Sequence, residues 1–535
     1  MKISLIKLLC FCFSLLHVFT LYAEDQIEYY FKTLDIKNGL SQNTVATILQ
    51  DSEGFMWFGT KKGLNRFAGL RFQVFKKGTS SLGNDFIIAL FEDQDKNIWI
   101  GTDAGVYIYN PKEERFTAFD IATSDGEIIE HTVTHIRAGN DNSIWLSVDY
   151  QGLFQYDPLK KTLLNHFPTN KGNKSLSNIS HFWFDGNTCW LGLYGDNLYY
   201  TNDNFKTLKP FKDANGHESF KHNIVTSQST GTHNCWYVGT NKGLTEINLT
   251  TQKTRHLLDS YVRDLKFNSD KKLWIGTEVG LYIYDLAKNT YIHLTVPETN
   301  DPYALADNAI YSICRDQEGN MWIGSYFGGI NYYLYPYTYF KKFYPEHNKG
   351  FGKRVREFCE SNDGTIWIGT EDCGLFHFNP QTRKIEAFRH PTISHNIHGL
   401  SLDGNYLWVG AFAGGLSRID LRTKQVKHYE KGLTHNSLNS NDIMSICKTS
   451  SGDLLIGTIQ GLIHYNYNTD DFSPISDLSN RNINHIMEDT KGDIWVSTYA
   501  NGLYRYDINK KIWQNFSFNK EKPTSLSGDK VIGVF

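Results

Sequence analysis

The sequence predicts an all-β protein of tandem seven-bladed β-propellers, the second one incomplete in this chain. Three observations predict it. Trp57, Trp99, Trp145, Trp190, Trp236, Trp274, Trp322, Trp367, Trp408 and Trp495, with Leu455 holding the Trp place of one further copy, recur at intervals of 38 to 48 residues. Each sits in one phrase: a polar turn, Trp-Ile-Gly-Thr, a short gap, then Gly-Leu-x-x-Tyr. The 535 residues include 44 Gly and 14% aromatics but only 5 Met, a texture of strands and tight turns rather than helices.

The first twenty-three residues read as an export signal. Lys2 and Lys7 accompany a 13-residue, mostly apolar run from Leu8 to Thr20, too short to span a bilayer comfortably, and Ala23 precedes Glu24. Residues 1–23 are expected to be a signal peptide cut after Ala23; the alternative is an uncleaved anchor.

Within the first repeat, period-2 alternation predicts four strands. Thr44 to Gln50 is one, with Val45, Thr47 and Leu49 on one face. Asp51 to Gly54 is a tight turn, and Phe55–Gly59, Leu64–Phe67 and Phe72–Phe75 are the other strands. Four antiparallel strands per repeat make one propeller blade. HEAT-like helical repeats share the period, but turn signals leave no room for their helices. The repeated residues have structural work. Trp is expected to wedge between sheets, Gly59 to let the next blade come close, Gly63 to take positive φ, and Asp51 to bind its own turn backbone.

Residues 24–335 hold seven repeats and are expected to form the first ring. Tyr30-Phe-Lys-Thr-Leu34 precedes the first repeat, as Tyr339-Phe-Lys-Lys-Phe343 precedes the eighth. Both read as outer strands that complete the last blade of their own ring and remove free edges. Residues 336–535 hold four repeats and the start of a fifth, ending in the apolar Val531-Ile-Gly-Val-Phe535. The second ring is therefore expected to be unfinished, and the chain to be a piece of a longer protein.

Charge and motifs narrow the chemistry. With 54 basic and 57 acidic side chains, no basic excess exists to displace phosphate counterions, which argues against a nucleic-acid binder. Six cysteines follow residue 23, and none is in a CxxC pair. Cys314, Cys359 and Cys447 share the repeat position of Leu49, so free, buried thiols are expected. Asp93-Gln-Asp95-Lys-Asn97 hints at a calcium loop, but Ala104 stands where the bidentate Glu belongs, and the segment reads as a turn. No HExxH, GxSxG or P-loop pattern occurs. No catalytic residue, cofactor or metal site is expected. His135 and Glu357 share the strand-one place of Thr47, Ala89 and Ser312, which would face a channel if strand one lines it.

Asn38-Gly39-Leu40-Ser41-Gln42-Asn43-Thr44-Val45 followed by Gln50-Asp51-Ser-Glu-Gly-Phe-Met-Trp-Phe-Gly-Thr-Lys-Lys-Gly-Leu-Asn65-Arg66-Phe67 resembles the two-component regulator propeller repeat, and the resemblance recurs through essentially the whole mature chain. It implies the periplasmic sensor region of a hybrid two-component histidine kinase, anchored in the inner membrane through a helix absent here. It also implies two seven-bladed rings, an oligosaccharide ligand, a homodimer, and kinase, receiver and DNA-binding domains beyond this chain.

Binding is expected where the repeat varies. The connections from strand two to strand three and from blade to blade fall on one propeller face. Some of these loops gain aromatics, which stack on the apolar faces of sugars while polar neighbours orient hydroxyls. The candidate ligand-binding residues are Tyr150, Tyr194, Tyr326 and Phe327, with Asp149 and Asp196 as polar partners. Packing of these rings between loops is the competing reading. Two other functions stay open: a protein-interaction scaffold, or an exported propeller lyase or lactonase, which would need clustered metal ligands.

Overall fold

The structure, a computed structural model, describes residues 29–535 apart from 124–125, 168–175, 177, 232–233, 299–300, 336–353, 383 and 435. The expected signal peptide and the Tyr339–Phe343 segment lie outside the described residues. Chain contacts divide the protein into two units, residues 1–341 and 342–535.

The first repeat shows how each sheet is made. Val45–Gln50, Met56–Thr60, Gly63–Phe67 and Phe72–Phe75 pair in that order into a four-stranded antiparallel sheet. Asp51 Oδ1 accepts from the backbone N–H groups of Glu53 (3.1 Å) and Phe55 (2.8 Å) and so builds the turn between the first two strands. Gly63 opens the third strand at φ +124°, which a side chain would resist. One detail departs from simple alternation. A β-bulge shifts the register between Val45 and Thr47, which pair with the consecutive residues Thr60 and Gly59. The extra residue puts Val45 and Thr47 on opposite faces rather than one.

Eleven such sheets occur among the described residues. Seven belong to the first unit, and their inner strands neighbour one another in sequence order, with Ile310–Arg315 returning to Val45–Gln50. The seventh sheet takes its outer strand from the N-terminus: Phe31–Leu34 pairs antiparallel with Ile330–Tyr333. The second unit holds four sheets, over residues 355–388, 397–429, 443–479 and 483–516, with inner strands again neighbouring in order. One short 3-10 helix, Ile36–Asn38, is the helical element of the described residues.

The cores lie between sheets. Trp57 is buried among Phe75 of its own sheet and Ile87, Ile98, Tyr109 and Phe116 of the next. Truncating such a wedge to Ala costs about 3–5 kcal/mol. The cysteines are free among the described residues, as expected. Their burial is uneven: Cys189 and Cys235 are buried, whereas Cys314, Cys359, Cys373 and Cys447 are half-buried. Cys314, Cys359 and Cys447 are each next to the last residue of their strand, where the sheet opens toward its turn.

Candidate ligand-binding channel

The bulge recurs in the inner strand of each sheet of the first unit, and it sets one residue opposite the small residue of strand two. The pairs are Thr47 with Gly59, Ala89 with Gly101, His135 with Ser147, His181 with Gly192, Ser227 with Gly239, Asp264 with Gly276, and Ser312 with Gly324. In the first sheet the place needs glycine, because a Cβ on Gly59 would sit 2.6 Å from Thr47 Cγ2 and 2.7 Å from Ile87 Cγ2 of the next sheet; the third sheet carries Ser147 there. The strands thus close around a cavity of about 360 Å³, lined by the inner strands of all seven sheets. Its lining is lopsided. The first two sheets supply small or apolar groups such as Ala46, Ile88 and Ala89, while His135, Arg137, His181, Arg263, Asp264 and Lys266 come from the third, fourth and sixth.

Burial sets the charge state of these groups. His135 is held down to about 3, first by burial and then by Arg137, and burial holds His181 well below the usual imidazole range. Both rings are neutral near pH 7. They share one hydrogen bond, His135 Nε2 to His181 Nδ1 at 3.3 Å, with the rings edge to face at 87°. Asp264 is raised by burial, yet its carboxylate accepts from Leu265 N (2.8 Å) and Ile313 N (2.7 Å), fastening the sixth sheet to the seventh. Burial lowers Arg137, and Asp264 opposes the shift. Arg137 Nε and His135 Nδ1 have no hydrogen-bond partner among the described residues.

An aromatic and cationic array leads out of the cavity. The Arg263 guanidinium lies 4.1 Å from the Tyr261 ring centre and 4.7 Å from that of Tyr311, and its Nε donates to Glu278 Oε1 at 2.6 Å. Tyr311 packs on Tyr326 at 5.2 Å, and Tyr326 meets Phe327 edge to face at 4.5 Å. Lys61 Nζ sits 5.0 Å over Tyr326. Backbone bonds hold the array: Thr44 Oγ1 donates to Tyr326 O at 2.7 Å, and Phe327 N donates to Asp307 Oδ2 at 2.6 Å. Phe327 is 72% exposed, so the chain of rings runs from an interior lining residue to open solvent.

Of the residues expected to bind, Tyr326 and Phe327 meet in this array. Tyr150 is exposed and touches His131 at 5.9 Å; beside it, burial raises the carboxyl of Asp149. Tyr194 is exposed on its own loop, while Asp196 accepts from Tyr199 OH at 3.1 Å within its own sheet. No ring contact among the described residues joins Tyr150 or Tyr194 to the Tyr326 array. Sequence reading flagged His135 but missed His181, Arg137, Asp264, Arg263 and Tyr311. A usable signal existed: each sits in strand one, in a repeat position that varies from copy to copy. Asp93 behaves as a turn residue, accepting from Asn97 N (2.9 Å) and Trp99 Nε1 (2.8 Å). Among the described residues, no group of three or more His, Cys, Asp or Glu is placed to hold a metal ion, and no helix is long and apolar enough to cross a membrane.

Comparison with known proteins follows the same lines. The model of the family described as two component regulator propeller matches residues 39–62, 81–104, 304–327, 349–372 and 477–500. A histidine kinase P4 of Formosa agariphila is 26% identical over 507 residues, covering 81% of this chain and 33% of the relative. The chain thus spans about a third of the length of that relative. Among solved structures, the extracellular domain of a putative hybrid two component system from B. thetaiotaomicron aligns with TM-score 0.63 and 23% identity over 93% of this chain and 74% of that one. The extracellular domain of a putative one component system from the same organism aligns with TM-score 0.50 and 20% identity, over 92% and 74%. At these identities the two structures speak for the fold. The matched segments fall in both units, so each unit is similar in part to two component regulator propellers.

Proposed function

We propose that the chain is the periplasmic ligand-sensing segment of a hybrid two-component sensor, that its ligand is an oligosaccharide, and that binding is relayed to a histidine kinase. In this reading residues 24–335 form a complete seven-bladed propeller and residues 336–535 belong to a second one. The segment binds without catalysis, follows a signal peptide of residues 1–23, and works in a homodimer.

One observation carries the assignment to the first unit. Tyr311, Tyr326 and Phe327 form a continuous ring array beside Arg263 and Lys61, between a polar cavity and solvent. Rings of this kind stack on sugar C–H faces, and Arg263, Glu278 and Lys61 supply donors and acceptors for hydroxyls. Tyr150 with Asp149, and Tyr194 with Asp196, are proposed as further contacts on neighbouring loops.

Calorimetry of the purified chain against a panel of oligosaccharides tests the reading. One glycan is expected to bind, and Tyr311→Ala with Tyr326→Ala to weaken it by about 1–3 kcal/mol per ring removed. Undiminished affinity in the double variant discards the mouth as the site. A panel with no binder discards the oligosaccharide.

A further inference from the structure

The repeat that lacks Trp leaves a cleft. Leu455 stands where the other ten copies carry the indole, at the interface between the sheets of residues 443–479 and 483–516. A cavity of about 340 Å³ opens there, lined on the apolar side by Leu455, Ile475, Ile494, Ile508, Tyr506 and Trp513. Thr449, Ser451, Asp453 and His464 form its polar rim.

Other interfaces of the same chain show what that space normally holds. Trp57 packs on Tyr109 at 5.3 Å, Trp99 on Tyr156 at 5.4 Å, and Trp408 on Tyr465 at 4.7 Å. All three tyrosines are buried beneath those indoles. Tyr506 is their counterpart: it pairs with Ile494 as Tyr109 pairs with Ile98 and Tyr156 with Ile144. Yet Tyr506 and its neighbour Trp513, 5.1 Å away, are only half-buried. Leu455 is too short to cover them, so two aromatic faces line a slot whose counterparts admit one flat bicyclic ring. The rim suits a ring N–H. Asp453 is half-exposed, accepts from Ser451 Oγ (2.8 Å) and contacts His464 Nε2 (3.0 Å), and its oxygens retain further lone pairs.

We propose that this cleft binds a small planar aromatic heterocycle of indole type, its ring on Tyr506 and Trp513 and its N–H toward the Asp453 rim. Apolar cavities take up aromatic ligands of matching shape because water gains little from filling them. This site is separate from the channel of the first unit and does not depend on the oligosaccharide reading.

The test uses indole itself as probe, with methyl β-glucoside as the sugar control, titrated into the full chain by ligand-observed NMR and calorimetry. Indole is expected to bind, and Leu455→Trp, which refills the slot with the repeat's own side chain, to weaken it at least about tenfold while raising the unfolding midpoint. Leu455→Phe, a smaller fill, is expected to fall between the two and covers the case in which the Trp variant does not fold. Absence of indole binding, or equal binding in both filled variants, overturns the proposal. Binding of the glucoside in preference to indole overturns the aromatic assignment.

Discussion

The indole Nε1 of Trp57 donates to Asp51 Oδ2, six residues earlier, at 2.7 Å. The same bond joins Trp99 to Asp93 (2.8 Å), Trp322 to Asp316 (2.8 Å) and Trp495 to Asp489 (2.9 Å). One carboxylate therefore holds the turn with one oxygen and the inter-sheet wedge with the other. Where Asn268 stands in that place, its Oδ1 still accepts from Lys272 N at 2.9 Å, but Trp274 Nε1 is buried without a partner among the described residues. Asn268→Asp supplies the missing acceptor and is expected to stabilise the first unit by about 1 kcal/mol, while Asp51→Ala is expected to cost about 2 kcal/mol. Urea unfolding of both variants reads the two signs; a destabilised Asn268→Asp contradicts the shared-carboxylate account.

Gly59 offers a direct test of the bulge geometry. With Thr47 and Ile87 methyl groups 2.6 and 2.7 Å from an added Cβ, Gly59→Ala must push two sheets apart. The expected loss is about 1–3 kcal/mol, seen as a lower unfolding midpoint. Gly54→Ala serves as a comparison: its Cβ would meet nothing within 4 Å, although its φ of +92° adds strain of another origin.

The histidine pair makes the first unit acid-sensitive. Both imidazoles have folded values below their ordinary one, so the unfolded chain takes up protons first as pH falls. Their contribution is complete above about pH 6.5 and is lost progressively toward pH 3, where His135 itself titrates. Thermal unfolding followed from pH 8 to pH 4 should show this fall. His135→Gln with His181→Gln should flatten it; an unchanged profile in the double variant contradicts the assignment.

Glu357, in the second unit, has the opposite sign. Burial pushes its carboxyl up to about 7, with Arg356 opposing. A folded value above the unfolded one means that stability is greatest below about pH 4.5 and falls as pH rises to about 7. Glu357→Gln is expected to be more stable than the parent at pH 8 by about 1–3 kcal/mol and nearly equal to it at pH 4. Denaturant midpoints at the two pH values decide it.

The sheets were legible because their punctuation repeats. Asp51, Gly54, Trp57, Gly59 and Gly63 each answer a backbone or packing demand of a single hairpin, and such demands recur in every copy. The channel was less legible for the converse reason. Arg137, His181 and Asp264 meet across sheets far apart in sequence, and none belongs to a repeated phrase. The bulge hides them further: it reverses strand-one alternation at Thr47, so reading every second residue assigns the wrong face there. Tyr326 and Phe327 stood out as added aromatics in a loop that is usually Thr-x-x-Gly. Their partners Tyr311 and Arg263 did not, because an inner strand accepts such residues without any local sign.

Asn331 Nδ2 reaches Thr33 Oγ1 at 2.8 Å across a sequence separation of 298 residues. At a synthesis rate of about 5–20 residues per second, the first strand waits on the order of 15–60 s before its mate exists. During that interval Phe31 to Leu34, made first, has no Ile330–Tyr333 strand to pair with. A nascent chain of this design therefore gains from a holder that keeps its leading end single until the seventh sheet arrives.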